Sequence, residues 1–170
     1  MTSNEKQLKI PISVEGREKW AELEKALKPL LTKLWSAASA VRLDHVPRIT
    51  KEPGIYLFVD ENLDPIYVGQ TRNLRSRLAA HTRPSGSHNS ASFAFLLAKD
   101  RYTPAEGEKM TRAELEAHPE FMKLFRQAKE DVSKMEVRFV SCADPELRTV
   151  FEVYAAMHLG TEKFNSFETH

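Results

Sequence analysis

The chain has little of what marks a secreted or membrane-borne protein. Its 170 residues include a single cysteine, Cys142, so no disulfide can form within the chain. Cys142 closes an alternating apolar run, a setting that favours a half-buried structural thiol over a nucleophile. No stretch approaches the roughly 20 apolar residues that a membrane span requires, and Met1 to Gln7 leads into no apolar run that could serve as a signal-peptide core. These absences predict a cytoplasmic protein. Internal repeats, low-complexity tracts, helix-turn-helix and zinc-finger patterns are also missing, so no separate targeting module is legible. One further lack is local. From Pro65 to Lys99 there is no Asp or Glu, while Arg72, Arg75, Arg77, Arg83 and Lys99 are present with His81 and His88 among them. Such a basic stretch suits a polyanion, although short unbalanced stretches also occur on ordinary solvated surfaces.

What is present is the composition of a globular chain, 41% hydrophobic and 29% charged with a net charge of +1, at a length that suits one domain with additions. From Glu15 to Ala40, Trp20, Leu23, Leu27, Leu30, Leu31, Leu34 and Trp35 recur at three- and four-residue steps, which predicts an amphipathic helical extension docked on the core within residues 1–50. Pro29 is expected to break or kink it. Gly54 to Val59 and Pro65 to Gly69 are two β-rich runs joined by an Asp/Asn-rich segment, and together predict a hairpin. A helix follows over Thr71 to His81, capped by Thr71 or Asn73.

Residues 82–89 read as an exposed loop and Ala91 to Ala98 as a short helix. Thr111 to Glu114 is a capping-box pattern, and His118-Pro119 interrupts before a helix over Phe121 to Ser133. This middle block, about residues 82–133, is a helical insertion for which DNA binding, dimerisation and capping of the core all stay open. Glu136 to Cys142 alternates as a third strand with Met135, Val137 and Phe139 on one face, and Asp144-Pro145 starts a helix through Leu159. The class is therefore α+β, a small three-stranded antiparallel sheet flanked by helices.

Glu152 is the residue that packing explains least well. Leu147, Val150, Phe151, Tyr154 and Met157 surround it on a helix apolar on nearly every side, so a buried carboxylate there needs a partner. That partner is either an arginine in a salt bridge or a hard cation such as Mg²⁺. Arg77 and His81 share one helix face at i and i+4 and can touch the same ligand. Arg72 and Arg75 are solvated or phosphate-contacting. Tyr56 and Tyr67, each on a hairpin strand, would alone pass for half-buried packing residues.

Taken in order, Gly54-Ile55-Tyr56, a ten-residue spacer, Tyr67-Val68-Gly69, Arg77, His81, Glu152 and Asn165 resemble the GIY-YIG nuclease family. The resemblance covers roughly Pro53 to His81 and Val137 to Phe167, with Val in place of Ile in the second triplet, and implies a nuclease domain over residues 51–170. It implies one Mg²⁺ or Mn²⁺ ion held by Glu152 and hydrolysis of a DNA phosphodiester bond by in-line attack of water. It further implies Tyr56 as general base with a lowered pKa, Tyr67 orienting the water or a phosphate oxygen, and Arg77 stabilising charge. His81 would stand near the scissile phosphate, Gly69, Arg72 and Arg75 would belong to the substrate surface, and Asn165 would brace the site. Gln70 departs from relatives that carry lysine there, which removes a phosphate contact. A nucleic-acid-binding module of the same fold without cleavage activity is the alternative. The DNA would be single- or double-stranded, and cutting both strands would require a homodimer or two successive nicks.

Overall fold

In this computed structural model, residues 13–36, 40–42, 49–82, 92–103 and 110–165 are described. Most of the expected 82–89 loop, and the tail beyond Asn165 with Ser166, Phe167 and His170, lie outside them. The elements in chain order are α1 (Val14–Trp35), β1 (Ala40–Arg42), β2 (Gly54–Val59), β3 (Pro65–Thr71) and α2 (Leu74–Thr82). They continue with α3 (Ser92–Arg101), α4 (Arg112–Ala117), α5 (Pro119–Lys134), β4 (Glu136–Ser141) and α6 (Pro145–Leu159). No helix among the described residues is long and apolar enough to cross a membrane.

The expected antiparallel trio forms around β2, which pairs with β3 on one side and β4 on the other. The short β1 adds a fourth strand beyond β4, giving the order β1-β4-β2-β3 and leaving β3 as an edge. Every residue of β2 is buried because helices cover both faces of the sheet, which is why Gly-Ile-Tyr-Leu-Phe-Val reads as a continuous apolar run. Tyr56, Phe58 and Val137 face a core shared with Leu74, Leu78, Phe93, Phe121 and Phe125. Ile55, Leu57, Val59, Val68 and Val140 face the opposite core with Leu27, Leu34 and Phe151. Helices α2 to α5 thus roof one face, and α1 with α6 the other. Helices α3 to α5 of the middle block contribute to the first of these cores.

Local chemistry sets the element ends. Asn73, one of two candidate caps, accepts from the Ser76 N–H at 2.9 Å, and the Thr111/Glu114 capping box closes reciprocally. Asp144 accepts from the Glu146 and Leu147 N–H groups, and Gly160 ends α6 in the left-handed region at φ 67°. Of the break or kink expected within α1, the break does not occur, and the helix runs on from Val14 to Trp35 through Pro29. The carbonyl it deprives of a donor belongs to Lys25, which is exposed, so water can take the place of the missing bond. The tryptophans also differ from a simple packing stripe, since Trp20 remains 53% exposed.

Candidate active site

The first three residues of β2 place Tyr56 against Gly69 of β3 across the antiparallel ladder. The tyrosine ring lies directly over that glycine. A Cβ at position 69 would run into the Tyr56 hydroxyl and its ring carbon, so a glycine at position 69 admits Tyr56. Gly54 is similarly constrained, its missing side chain replaced by the Val140 carbonyl and Leu74.

Helix α2 then brings Arg77 and His81 to the Tyr56 hydroxyl. Arg77 Nε donates to the phenolic oxygen at 3.0 Å, and His81 Nε2 lies 3.4 Å from it. Arg77 also hydrogen bonds to Tyr67, and its Nη2 donates to Ser92 Oγ at 2.7 Å. Ser92, the first residue of α3, bonds the Tyr67 hydroxyl as well, and the adjacent Phe93 stacks on the Tyr67 ring at 4.7 Å. Sequence reasoning missed Ser92 because a serine at the start of a helix ordinarily signals a cap, and only the fold shows that its hydroxyl joins two site residues.

Burial divides this group. Tyr56 and His81 have no exposed surface, while Tyr67, Arg77 and Glu152 are only partly covered. Burial raises the Tyr56 pKa, Tyr67 adds to the rise, and Arg77 opposes it without prevailing. The lowered value expected for Tyr56 is thus not a property of the ligand-free site. Burial also depresses His81, with help from Arg77, to about 3, which keeps its ring neutral. Its Nδ1 has no hydrogen-bond partner among the described residues.

Glu152 approaches from the other side of the sheet, on α6, and meets the outer edge of β3. Among the described residues no arginine forms the salt bridge considered for it. Its Oε1 accepts from the Gln70 main-chain N–H at 3.0 Å and its Oε2 from the Gln70 side-chain amide at 2.8 Å. The helix is also less enclosed than its composition suggests, with Met157 64% exposed. Burial raises the Glu152 pKa, while the Gln70 bonds and the field of Arg77 pull it back. Glu152 in turn acts electrostatically on Tyr56 and Tyr67, so the carboxylate and the tyrosine–arginine group form one electrostatic neighbourhood.

Asn165 braces the same strand. Its Oδ1 accepts from the Val68 N–H at 3.0 Å and from the Thr161 hydroxyl at 2.9 Å, and its Nδ2 donates to the Val68 carbonyl at 2.6 Å. Of the other expected substrate residues, Arg72 is exposed, whereas Arg75 is partly buried with its Nε on the Ile49 carbonyl at 2.6 Å. Arg75 therefore ties down the segment ahead of β2. Cys142 is buried, with its Sγ 3.7 Å from the Asp144 carbonyl oxygen, and takes no part in the site.

Among the described residues no group of three or more His, Cys, Asp or Glu is placed to hold a metal. A lone carboxylate still fits a Mg²⁺-like ion, which commonly takes one or two protein carboxylates and completes its shell with water and phosphate oxygens. Glu152 is partly exposed, meets no cationic side chain at hydrogen-bond distance among the described residues, and is held only by neutral donors. Its donor chemistry matches a hard cation.

Comparison with known proteins places part of the chain in a known domain family. Residues 52–117 match the UvrC-like GIY-YIG domain, a span that adds α3 and α4 to the segment carrying the triplets. The chain is also similar to the UvrABC system protein C of Bartonella henselae, at 41% identity over 46 residues, which is 27% of this chain and 7% of that protein. No solved structure matches. With both triplets on β2 and β3, and Arg77 and His81 on α2 converging on Tyr56, residues 52–117 make this chain a bearer of a UvrC-like GIY-YIG domain, and so of a domain of a nuclease family.

Proposed function

We propose that this chain is a metal-dependent DNA endonuclease that hydrolyses a phosphodiester bond at the surface formed by Tyr67, Arg77 and Glu152, backed by Tyr56 and His81. The observation that carries the reading is the hydrogen-bonded junction of Arg77, Tyr56, Tyr67 and His81, contributed by three elements, beside the carboxylate of Glu152. Arg77 would contact a non-bridging phosphate oxygen and offset the charge that builds there in the transition state, in a partly dehydrated setting where such contacts are strongest. Tyr67, partly exposed and fixed by Ser92 and Phe93, would orient the attacking water. Tyr56 needs an acceptor for its own proton if it is to act as a base, and His81 Nε2 is at hand. Glu152 would hold a Mg²⁺ or Mn²⁺ ion, which supplies Lewis-acid stabilisation of phosphate charge.

DNA is supported as substrate by the acid-free stretch from Pro65 to Lys99, in which Arg72 is exposed. The deciding experiment is a cleavage assay on single-stranded, duplex and branched DNA with Mg²⁺ and with Mn²⁺. Wild type should nick or cut at least one form, and Glu152→Ala and Arg77→Ala should each lose about a hundredfold or more in rate, with DNA binding largely kept in Glu152→Ala. Binding without cleavage of any form with either metal would instead identify a nucleic-acid-binding module of the same fold.

A further inference from the structure

Gln70 and Glu152 meet in a way that the proposed function does not use. One residue supplies both donors, its main-chain N–H to Oε1 at 3.0 Å and its side-chain amide to Oε2 at 2.8 Å. A glutamate's terminal torsion is ordinarily broad and loosely held. A fork with one donor on each oxygen removes that freedom and fixes the plane of the carboxylate. Both donors are neutral, so they orient Glu152 without offsetting its charge. Each oxygen has two lone pairs and the fork engages one of them, so each still has one with which to accept.

We propose that Gln70 is a positioning residue which presents Glu152 as a fixed, single-point ligand for a hard divalent cation. The inference rests on the proposed role of Glu152 as the cation ligand. An ammonium at position 70 would reach the same oxygen but would offset part of the charge that the cation meets. A side chain too short to reach would leave Oε2 free to rotate away. Gln70 is thus a residue type that orients without discharging. The alternative is that the pair only satisfies the outward N–H of an edge strand, a role that the main-chain bond alone can fill.

Binding of Mn²⁺ alone, followed by water-proton relaxation or electron paramagnetic resonance, separates these accounts in wild type, Glu152→Ala, Gln70→Ala and Gln70→Lys. Partners that orient a ligating carboxylate commonly contribute ten- to a hundredfold in metal affinity. Gln70→Ala, which keeps the main-chain bond, should therefore weaken Mn²⁺ binding about tenfold, and Gln70→Lys should weaken it further while leaving thermal stability equal to or above that of wild type. Retention of wild-type affinity in both Gln70 variants, with affinity lost in Glu152→Ala, would overturn the positioning role and leave the proposed function standing. No Mn²⁺ binding by wild type, or equal binding by Glu152→Ala, would remove Glu152 as the cation ligand and the inference with it.

Discussion

His81 couples the site to acid. Its ring is fully buried, and burial with the nearby Arg77 lowers its pKa from 6.5 to about 3. The unfolded chain takes up a proton near pH 6.5, whereas the folded chain resists until near pH 3. Stability from this residue is therefore complete above pH 6.5 and is lost as pH falls through that window, by up to about 1.4 kcal/mol per pH unit. Urea midpoints should fall with acid in wild type and less steeply in His81→Phe, and parallel slopes would show that the buried ring is not their source. Gly69 is the second residue with a sharp consequence. A Cβ there meets the rigid, buried Tyr56 ring and hydroxyl, so Gly69→Ala should destabilise the fold by about 1–3 kcal/mol as overpacking does. Equilibrium denaturation measures this, and an unchanged midpoint would mean that Tyr56 can move aside at no cost.

Among the elements, the β2–β3 hairpin carries a visible strain. Leu63 sits at φ 66°, in the left-handed region that a side chain with a Cβ disfavours, while Asp60 Oδ1 gathers the Asn62 and Asp64 N–H groups to close the turn. Leu63 is also exposed, so Leu63→Gly should raise stability by about 1 kcal/mol with no loss of packing. A lower melting temperature in that variant would place the turn's strain elsewhere. The hairpin itself was legible because β-rich runs flanked an Asp/Asn-rich segment, and α6 because Asp144, Pro145 and Gly160 are strong end signals whatever surrounds them. Pro29 misled because the cost of an interior proline depends on whether the orphaned carbonyl is wet, which only the docked helix reveals. At the site, Tyr56, Tyr67, Arg77, His81 and Glu152 were legible as an ordered motif. Gln70 and Ser92 were not, because each acts through a contact between segments far apart in the chain and has an unremarkable local role. The short strand Ala40–Arg42 escaped for a related reason, since three residues that pair only with β4 leave no periodicity to read.

At the scale of the molecule, the sheet divides the site between its two helical layers. Tyr56, Arg77, His81 and Ser92 belong to the layer of α2 and α3, and Glu152 comes from α6 on the opposite side, so the surface proposed for cleavage depends on both layers and on the strand between them. Any DNA bound there would also lie along the acid-free stretch. Arg72→Ala should therefore lower the slope of log binding constant against log salt by about 0.7–0.9, as loss of one phosphate contact does. Fluorescence anisotropy in the presence of a chelator checks this without cleavage, and an unchanged slope would mean that Arg72 does not contact the backbone. The strand between the layers has a further consequence. β3 is the open edge of the sheet, and two of its outward N–H groups, at Val68 and Gln70, are taken up by the side chains of Asn165 and Glu152. Such edges invite pairing with another chain when left bare. The carboxylate proposed for chemistry thus also closes one backbone donor of that edge, and Glu152→Ala, the obvious inactive control, hands the Gln70 N–H back to water while Asn165 still covers that of Val68.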